Sequence, residues 1–241
     1  MSNIVFITSA IHTNYGIYNK TERAKQTYET VLSAKKYIPD AVTILVDNSK
    51  PEVQQDDSVE FNQLIDEVDY YIYNSDDTDM QYFHNNITNY DIGKNTMEVM
   101  GMLKALQFIQ SDEDLAKLIG DADRIFKLSG RYQVTDQFKY DDFNNKKTQG
   151  KYVFKQRQPA WIKGLDALLQ TRLYSFSPEQ FDGTVDLFQQ IFDNMIQTFN
   201  RKSYIDVEHS MALYLDDNEL VELETVGLQG NIAPNGMMVI D

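Results

Sequence analysis

The chain contains no cysteine. That absence removes disulfide scaffolds, zinc ribbons and thiol nucleophiles together, and it fits a reducing compartment. No apolar run approaches the roughly 20 residues needed to cross a bilayer. The opening Met1-Ser2-Asn3-Ile4 lacks the basic and long apolar regions of a secretion signal. The expectation is a cytoplasmic protein without a transmembrane segment. Positive charge is also scarce, with 22 Lys and Arg against 37 Asp and Glu and a formal net charge of -15. Nucleic-acid binding needs a basic face whose cations displace counterions. No such cluster exists here, so no nucleic-acid partner is expected. Any phosphate ligand must be held by a few cations gathered locally.

The common nucleotide and hydrolase motifs are missing too. There is no G-x-G-x-x-G after a strand, no G-x-x-x-x-G-K-[ST] loop and no G-x-S-x-G elbow. The first strand is not followed by the glycine- and arginine-rich loop of nucleotidyltransferases. With three histidines and no cysteine, a zinc hydrolase has few ligands to draw on.

What is present is an α/β pattern. The 241 residues are enough for one large domain with a real core. Residues 3–8 are short, apolar and β-branched, which predicts a buried strand. The polar stretch to Asn19 reads as a loop. Asn19 and Glu22 then form a capping box ahead of a helix carrying Ala24, Tyr28, Val31, Ala34 and Ile38. Pro39-Asp40 stops that helix, and a second strand runs to Asp47. Such a parallel β-α-β unit carries ligands beyond the C-terminal ends of its strands. A short helix near 58–66 and a strand ending at Tyr73 follow. Residues 74–93 read as a long loop, and Asn95 with Glu98 as the cap of the next helix. Ile125 to Leu128 is a strand leading into Ser129-Gly130-Arg131-Tyr132. Further on, Tyr152–Gln156 and Leu173–Phe176 read as strands. Ser177-Pro178-Glu179-Gln180 opens a helix whose stripe is Phe181, Val185, Phe188, Phe192, Met195 and Phe199. A last helix runs from about Asp206 to Leu215, with Val207, Met211 and Tyr214 inward.

Several charged residues fall at strand ends and helix starts. Asp47 closes the second strand and could accept from a ribose or base edge, though a turn-forming Asp-Asn-Ser explains it equally. Lys94 precedes an expected helix start, where N–H groups and the helix dipole attract phosphate. Arg23 lies in a first helical turn, a poor place for a cation unless a phosphate relieves it. Lys127 sits inside an apolar strand, which is costly unless it is paired or reaches a ligand. Gly130 permits a sharp turn, after which Arg131 presents a planar fork suited to phosphate oxygens; a salt bridge is the alternative. Asp206, Glu208 and His209 gather on a first turn expected to be exposed. A carboxylate there could serve as general base toward a hydroxyl, and the imidazole could hold a metal or a phosphate. Acids at a helix start are also ordinary dipole partners.

Together these residues resemble a family. The pattern Thr21-x-Arg23-x-x-Gln26-Thr27-x-x-Thr30, then Pro39, Asp47-Asn48-Ser49, Lys127-Leu128-Ser129-Gly130-Arg131-Tyr132, Glu208-His209 and Gly230-Asn231-Ile232-Ala233 resembles small GT-A-type glycosyltransferase-like proteins of surface-glycan gene sets and large DNA viruses. The resemblance implies a Rossmann-like mixed sheet flanked by helices, forming a single domain over 1–241. Residues 1–135 would bind a nucleotide-sugar, and 136–241 would form an acceptor-side elaboration. It implies transfer of a sugar from a nucleotide-diphosphate-sugar to a hydroxyl acceptor such as a glycan. Thr8, Ser9, Ala10 and Asp47 would meet the nucleoside. Arg23, Lys94, Lys127 and Arg131 would hold the diphosphate, Ser129, Gly130 and His209 would also belong to the nucleotide-sugar site, and Glu208 or Asp206 would act as base. Such enzymes usually hold Mn²⁺ or Mg²⁺ through an Asp-x-Asp just after the fourth strand. Here Ser129-Gly130-Arg131 stands in that place, and Asp121-Ala122-Asp123 comes before the strand. Lys127 and Arg131 could neutralise the leaving diphosphate instead, so metal use stays open. A sugar-nucleotide nucleotidyltransferase and an inactive binding module remain as alternatives.

Overall fold

The computed structural model of the chain describes residues 2–13, 16–50, 58–87, 89–232 and 236–241. The first half is a parallel sheet built by crossovers. β1 (Asn3–Ser9), α1 (Lys20–Tyr37), β2 (Ala41–Asp47), α2 (Val59–Glu67) and β3 (Tyr70–Tyr73) follow in order. β1 pairs in parallel with β2 from Asn3↔Ala41 to Ser9↔Asp47, and β2 pairs in parallel with β3. The cap of α1 is reciprocal: Glu22 N–H reaches Asn19 Oδ1 at 3.0 Å, and Asn19 N–H reaches Glu22 Oε2 at 2.9 Å.

After β3 the chain forms α3 (Thr78–Asn86), α4 (Tyr90–Ser111) and α5 (Glu113–Gly120). It then returns to the other side of β1 as β4 (Arg124–Ser129), again parallel. The strand order therefore reverses between β1 and β4. At such a switch point the helices on either side leave in opposite directions, and a crevice opens at the C-terminal strand ends.

Two expectations fail in this stretch. Residues 74–93 are not a long loop, because Asp77 caps α3 and Asn89 caps α4. Asp77 Oδ1 accepts from Asp79 and Met80 N–H, and Asn89 Oδ1 from Ile92 N–H. Asn95 consequently caps nothing. Its amide donates to Asp91 O and to the Tyr204 hydroxyl from inside the helix.

The remaining elements are β5 (Tyr132–Val134), α6 (Tyr140–Phe143), β6 (Tyr152–Lys155), β7 (Gln158–Pro159), β8 (Ala167–Leu168) and β9 (Leu173–Phe176). They are followed by α7 (Phe181–Asn200), α8 (Val207–Tyr214), β10 (Leu220–Leu223), β11 (Leu228–Asn231) and β12 (Met238–Ile240). β9 runs antiparallel to both β4 and β6, and β10 is parallel to β6, giving one seven-stranded mixed sheet ordered β10-β6-β9-β4-β1-β2-β3. β12, β11 and β5 form a small second sheet, and β7 with β8 a short hairpin. The expected mixed sheet flanked by helices is thus present.

Alternation along the strands sorts the core into two layers. Ile4 and Phe6 of β1, Ile44 and Val46 of β2 and Ile125 of β4 pack with α4, α5 and α7. Val5, Ile7, Leu45, Phe126 and Leu128 pack with α1 and α2. Lys127 has the parity of Ile125, so it faces α4. The α7 stripe behaves as its spacing predicts: Phe181, Val185, Phe188 and Met195 are buried, with Phe192 and Phe199 packed against them. In α8, Val207 and Met211 are buried but Tyr214 is exposed. Among the described residues no helix is long and apolar enough to cross a membrane.

Candidate active site

The crevice at the ends of β1 and β4 is a cleft with two lobes. Thr8, Ser9, Ala10, Asn48, Arg23 and Met97 are among the residues lining the first. The second is walled by Thr171, Arg172, Trp161, Tyr204, Asp206 and Glu208, among others. Tyr90, Lys94, Glu98, Ser129 and Arg131 border both lobes and form the waist between them.

Close backbone contact sets the floor. Gly130 N–H donates to Thr8 O at 2.8 Å, and Thr27 Oγ1 donates to Gly130 O at 3.1 Å. A Cβ on Gly130 would lie 3.1 Å from both Thr8 O and Thr27 Oγ1. Gly130 therefore suits this close approach rather than a left-handed turn, since its φ is not positive. The Ser9 and Thr27 hydroxyls, 2.9 Å apart, complete the seam. A second tight contact fixes Asn48. A Cβ on Gly101 of α4 would sit 1.9 Å from Asn48 Oδ1, and the Asn74 amide bridges Asn48 Oδ1 and Gly101 O.

The cations differ sharply from one another. Arg23 is buried, with Nε donating to Tyr18 O and Nη1 to Ala10 O, each at 3.2 Å. Burial, reinforced by the positive field of Arg131, lowers its pKa to about 10, so it remains charged at neutral pH. Arg131 carries a buried Nε with no hydrogen-bond partner. Lys94 makes no hydrogen bond or ion pair among the described residues. It lies one turn inside α4, not ahead of a helix start, because the helix begins at Tyr90.

Lys127 is different. Its ammonium donates to Glu98 Oε1 at 3.0 Å, Ser129 Oγ at 3.0 Å and Thr171 O at 2.8 Å. All three donors are used, so the salt-bridge alternative holds and Lys127 is not free to grip a ligand. Glu98 gains from the arrangement. Burial raises its pKa, but Lys127 first and Lys94 next outweigh that, and the net shift is downward.

Three further expectations are corrected. Asp47 is fully buried; its Oδ1 accepts from Ile11 N–H at 3.3 Å, Ser49 N–H at 3.1 Å and Ser49 Oγ at 2.5 Å, and its Oδ2 from the Tyr71 hydroxyl at 3.2 Å. It ties the loop after β1 to the end of β2, and it borders neither lobe. Asp206 and His209 are not on an exposed turn but buried. Asp206 Oδ1 caps α8 through His209 N–H at 2.9 Å and holds His209 Nδ1 at 2.7 Å. His209 then packs edge-to-face with Trp161 and does not line the cleft. That leaves Glu208. Its half-buried carboxylate takes no hydrogen bond or ion pair among the described residues. Burial, then the charge of Asp206, pushes its pKa up.

Sequence reasoning assigned no site role to Tyr90, Arg172 or Tyr204, and quoted Asn48 only as part of the Asp47-Asn48-Ser49 block. Glu98 was legible in principle, since it lies four residues after Lys94 on one helix face. Trp161 was also visible, as the sole tryptophan. Ile232 borders the second lobe, while Ala233 of the quoted Gly230–Ala233 block lies outside the described residues.

Among the described residues the donor set at the cleft does not suit a divalent metal. Among the described residues no three His, Asp or Glu side chains converge as a metal cluster. Asp123, whose N–H bonds Ser2 O, lies at the opposite end of β4 from Ser129 and Arg131.

No protein-family profile matches the chain, and no curated protein matches it. Solved structures resemble it at low identity. The glycosyltransferase GlyE of Streptococcus pneumoniae TIGR4 is 11% identical with a TM-score of 0.49 over 92% of this chain, which spans 45% of the GlyE chain. The galactosyltransferase LgtC, solved with donor and acceptor sugar analogues, is 9% identical with a TM-score of 0.47, covering 92% of this chain and 73% of its own. CTP:phosphocholine cytidylyltransferase (LicC) of Streptococcus pneumoniae is 10% identical with a TM-score of 0.48, covering 98% and 95%. These proteins perform different chemistry, and similarity at this level does not fix an activity.

Proposed function

We propose that the cleft is the active site of a GT-A-type glycosyltransferase, with a nucleotide-diphosphate-sugar in the first lobe and a hydroxyl acceptor such as a glycan in the second. The observation that carries this reading is the pair of guanidiniums at the switch point, Arg23 buried and Arg131 half-buried with its Nε out of reach of solvent. Arg131 keeps an unmet buried donor beside Arg23, and each opposes the charge of the other. Such a pair is costly in a resting protein. A bound diphosphate removes the cost by accepting the orphan N–H and neutralising both charges.

In this reading Arg131 and Lys94 hold the diphosphate at the waist, with Arg23 behind them. Thr8, Ser9 and Ala10 border the nucleoside. Glu208 takes the proton of the acceptor hydroxyl as its oxygen attacks the anomeric carbon. The bond from that carbon to the diphosphate oxygen breaks, and its electron pair leaves on an oxygen held by cations fixed in advance. Lys127 acts at one remove, keeping Glu98 and Ser129 in place. Asp206 acts through its charge on Glu208. No step passes through a metal, because the residues at the end of β4 do not provide its ligands.

A thermal-shift panel of nucleoside diphosphates and nucleotide-sugars tests the reading. A ligand at a hundred times its dissociation constant stabilises by about 2.7 kcal/mol, roughly 5 to 10 °C for a chain of this size. Arg131→Ala should abolish that shift without lowering the melting temperature of the free protein. A shift unchanged in both Arg131→Ala and Lys94→Ala would sink the assignment. Release of pyrophosphate from a nucleoside triphosphate would replace it with the nucleotidyltransferase reading.

A further inference from the structure

Trp161 is the only tryptophan in the chain, and 64% of its surface is exposed. An exposed aromatic ring is ordinary by itself, but this one is mounted. It follows β7 at the base of the β7–β8 hairpin, which is closed by Ala160 N–H to Asp166 O. His209 packs against it edge-to-face with centroids 4.9 Å apart, and Tyr204 lies at 5.8 Å, tilted by 30°. Tyr204 is itself fixed, its hydroxyl accepting from the Asn95 amide at 2.8 Å. The segment returning from the hairpin is bonded to the helix that carries the free carboxylate, through Leu169 N–H to Glu208 O at 3.0 Å. The same second lobe is bordered by Trp161, Tyr204 and Glu208. An immobilised, open aromatic surface is therefore built into the frame that holds Glu208.

We infer that Trp161, backed by Tyr204, is the platform on which the acceptor lies, and that the acceptor unit is an uncharged pyranose. The ring's apolar C–H face would cover the indole, leaving its edge hydroxyls toward the carboxylate. The charge of the lobe argues for a neutral sugar. Four carboxylates border it (Asp91, Glu98, Asp206, Glu208) against three cations (Lys94, Arg131, Arg172), and a diphosphate at the waist adds more negative charge. This rests on the transferase reading above for the role of Glu208.

Because the chain has a single tryptophan, its emission reports on this surface alone. The protein is titrated with the methyl glycosides of glucose, galactose, mannose and N-acetylglucosamine, with methyl glucuronide as the charged control, and separately with nucleoside diphosphates. At least one neutral glycoside should shift or quench the emission, and the glucuronide should do so more weakly. By calorimetry Trp161→Ala should lose about tenfold or more in glycoside affinity and Trp161→Phe much less. Nucleoside diphosphate affinity should be unchanged in both. If nucleoside diphosphates bind but no neutral glycoside moves the emission, the platform assignment is wrong and the donor reading survives. Glycoside affinity equal in wild type and Trp161→Ala overturns it as well. Emission that follows the nucleoside instead would make the platform a base site. Failure of every nucleoside diphosphate to bind would strike the transferase reading itself.

Discussion

Lys127→Met separates a structural lysine from a ligand-binding one. The substitution removes three hydrogen bonds and leaves Glu98 without its principal counter-charge, with Thr171 O also losing its donor. Breaking a buried pair from one side costs about 3 to 5 kcal/mol. Lys127 is almost wholly buried, but the Glu98 side chain keeps 26% of its surface, and water reaching it argues for the lower end, about 3 kcal/mol. The melting temperature should fall by roughly 6 to 12 °C at neutral pH. Glu98→Gln in the Lys127→Met background should recover much of the loss, because the stranded charge is gone. The effect has a pH signature. In the wild type the folded-state pKa of Glu98 is lowered, so its contribution is full above the unfolded carboxylate value and is lost as pH falls through the folded one. Without Lys127 the carboxylate is no longer favoured in the fold. The penalty of the variant should then be largest at neutral pH and shrink as pH falls through the ordinary carboxylate range. Denaturant unfolding across that range measures all of this. A Lys127→Met protein as stable as wild type that had lost nucleotide binding would refute the reasoning and return Lys127 to the ligand.

Two other substitutions probe the cleft. Asp206→Asn keeps an oxygen to cap α8 but removes the charge that helps raise Glu208. The acid limb of the kcat/KM profile, which in the wild type should lie above the usual glutamate value, should move to lower pH, and Glu208→Gln should abolish transfer while sparing donor binding. An unmoved limb would mean that Glu208 is not the base. Gly101→Ala places a methyl group where Asn48 Oδ1 now sits. It should cost about 1 to 3 kcal/mol in unfolding experiments and weaken nucleoside diphosphate binding, since Asn48 lines the first lobe. Full binding in a destabilised variant would show that Asn48 is only a spacer.

The scaffold was legible because its signals are local. The Asn19–Glu22 box, the apolar strand at residues 3–8 and the α7 stripe each specify an element without help from distant residues. The middle of the chain misled for a physical reason. Asn95 and Glu98 have the spacing of a cap, yet Asn89 starts the helix a turn and a half earlier and leaves Asn95 to bond Tyr204, a partner 109 residues away. The site was legible only as residue types. Arg23, Lys94, Arg131 and Glu208 could be picked as residue types, and all four border the cleft. Asp47 and Lys127 looked the same from the sequence, and only their contacts reveal that each is saturated. Saturation is a property of tertiary contacts, and residue spacing does not record it.

The strong negative charge of the chain bears on how the cleft would work. In an acidic field an anionic ligand would be repelled until it reached the waist, so attraction would have to be short-ranged and specific. Lys127 spends its charge on Glu98, which stops that carboxylate from opposing the ligand at full strength. Arg23 is anchored to two backbone carbonyls and contributes charge from a fixed place. Arg131, with its unmet Nε, and Lys94 remain as the groups that gain a partner when an anion arrives. The division has a consequence for salt. With few cations engaged and the remaining surface acidic, nucleoside diphosphate affinity should fall only modestly with ionic strength, because partly buried charges are screened less than exposed ones. A steep decline would instead mean that the anion is held at the surface, outside the waist between the lobes.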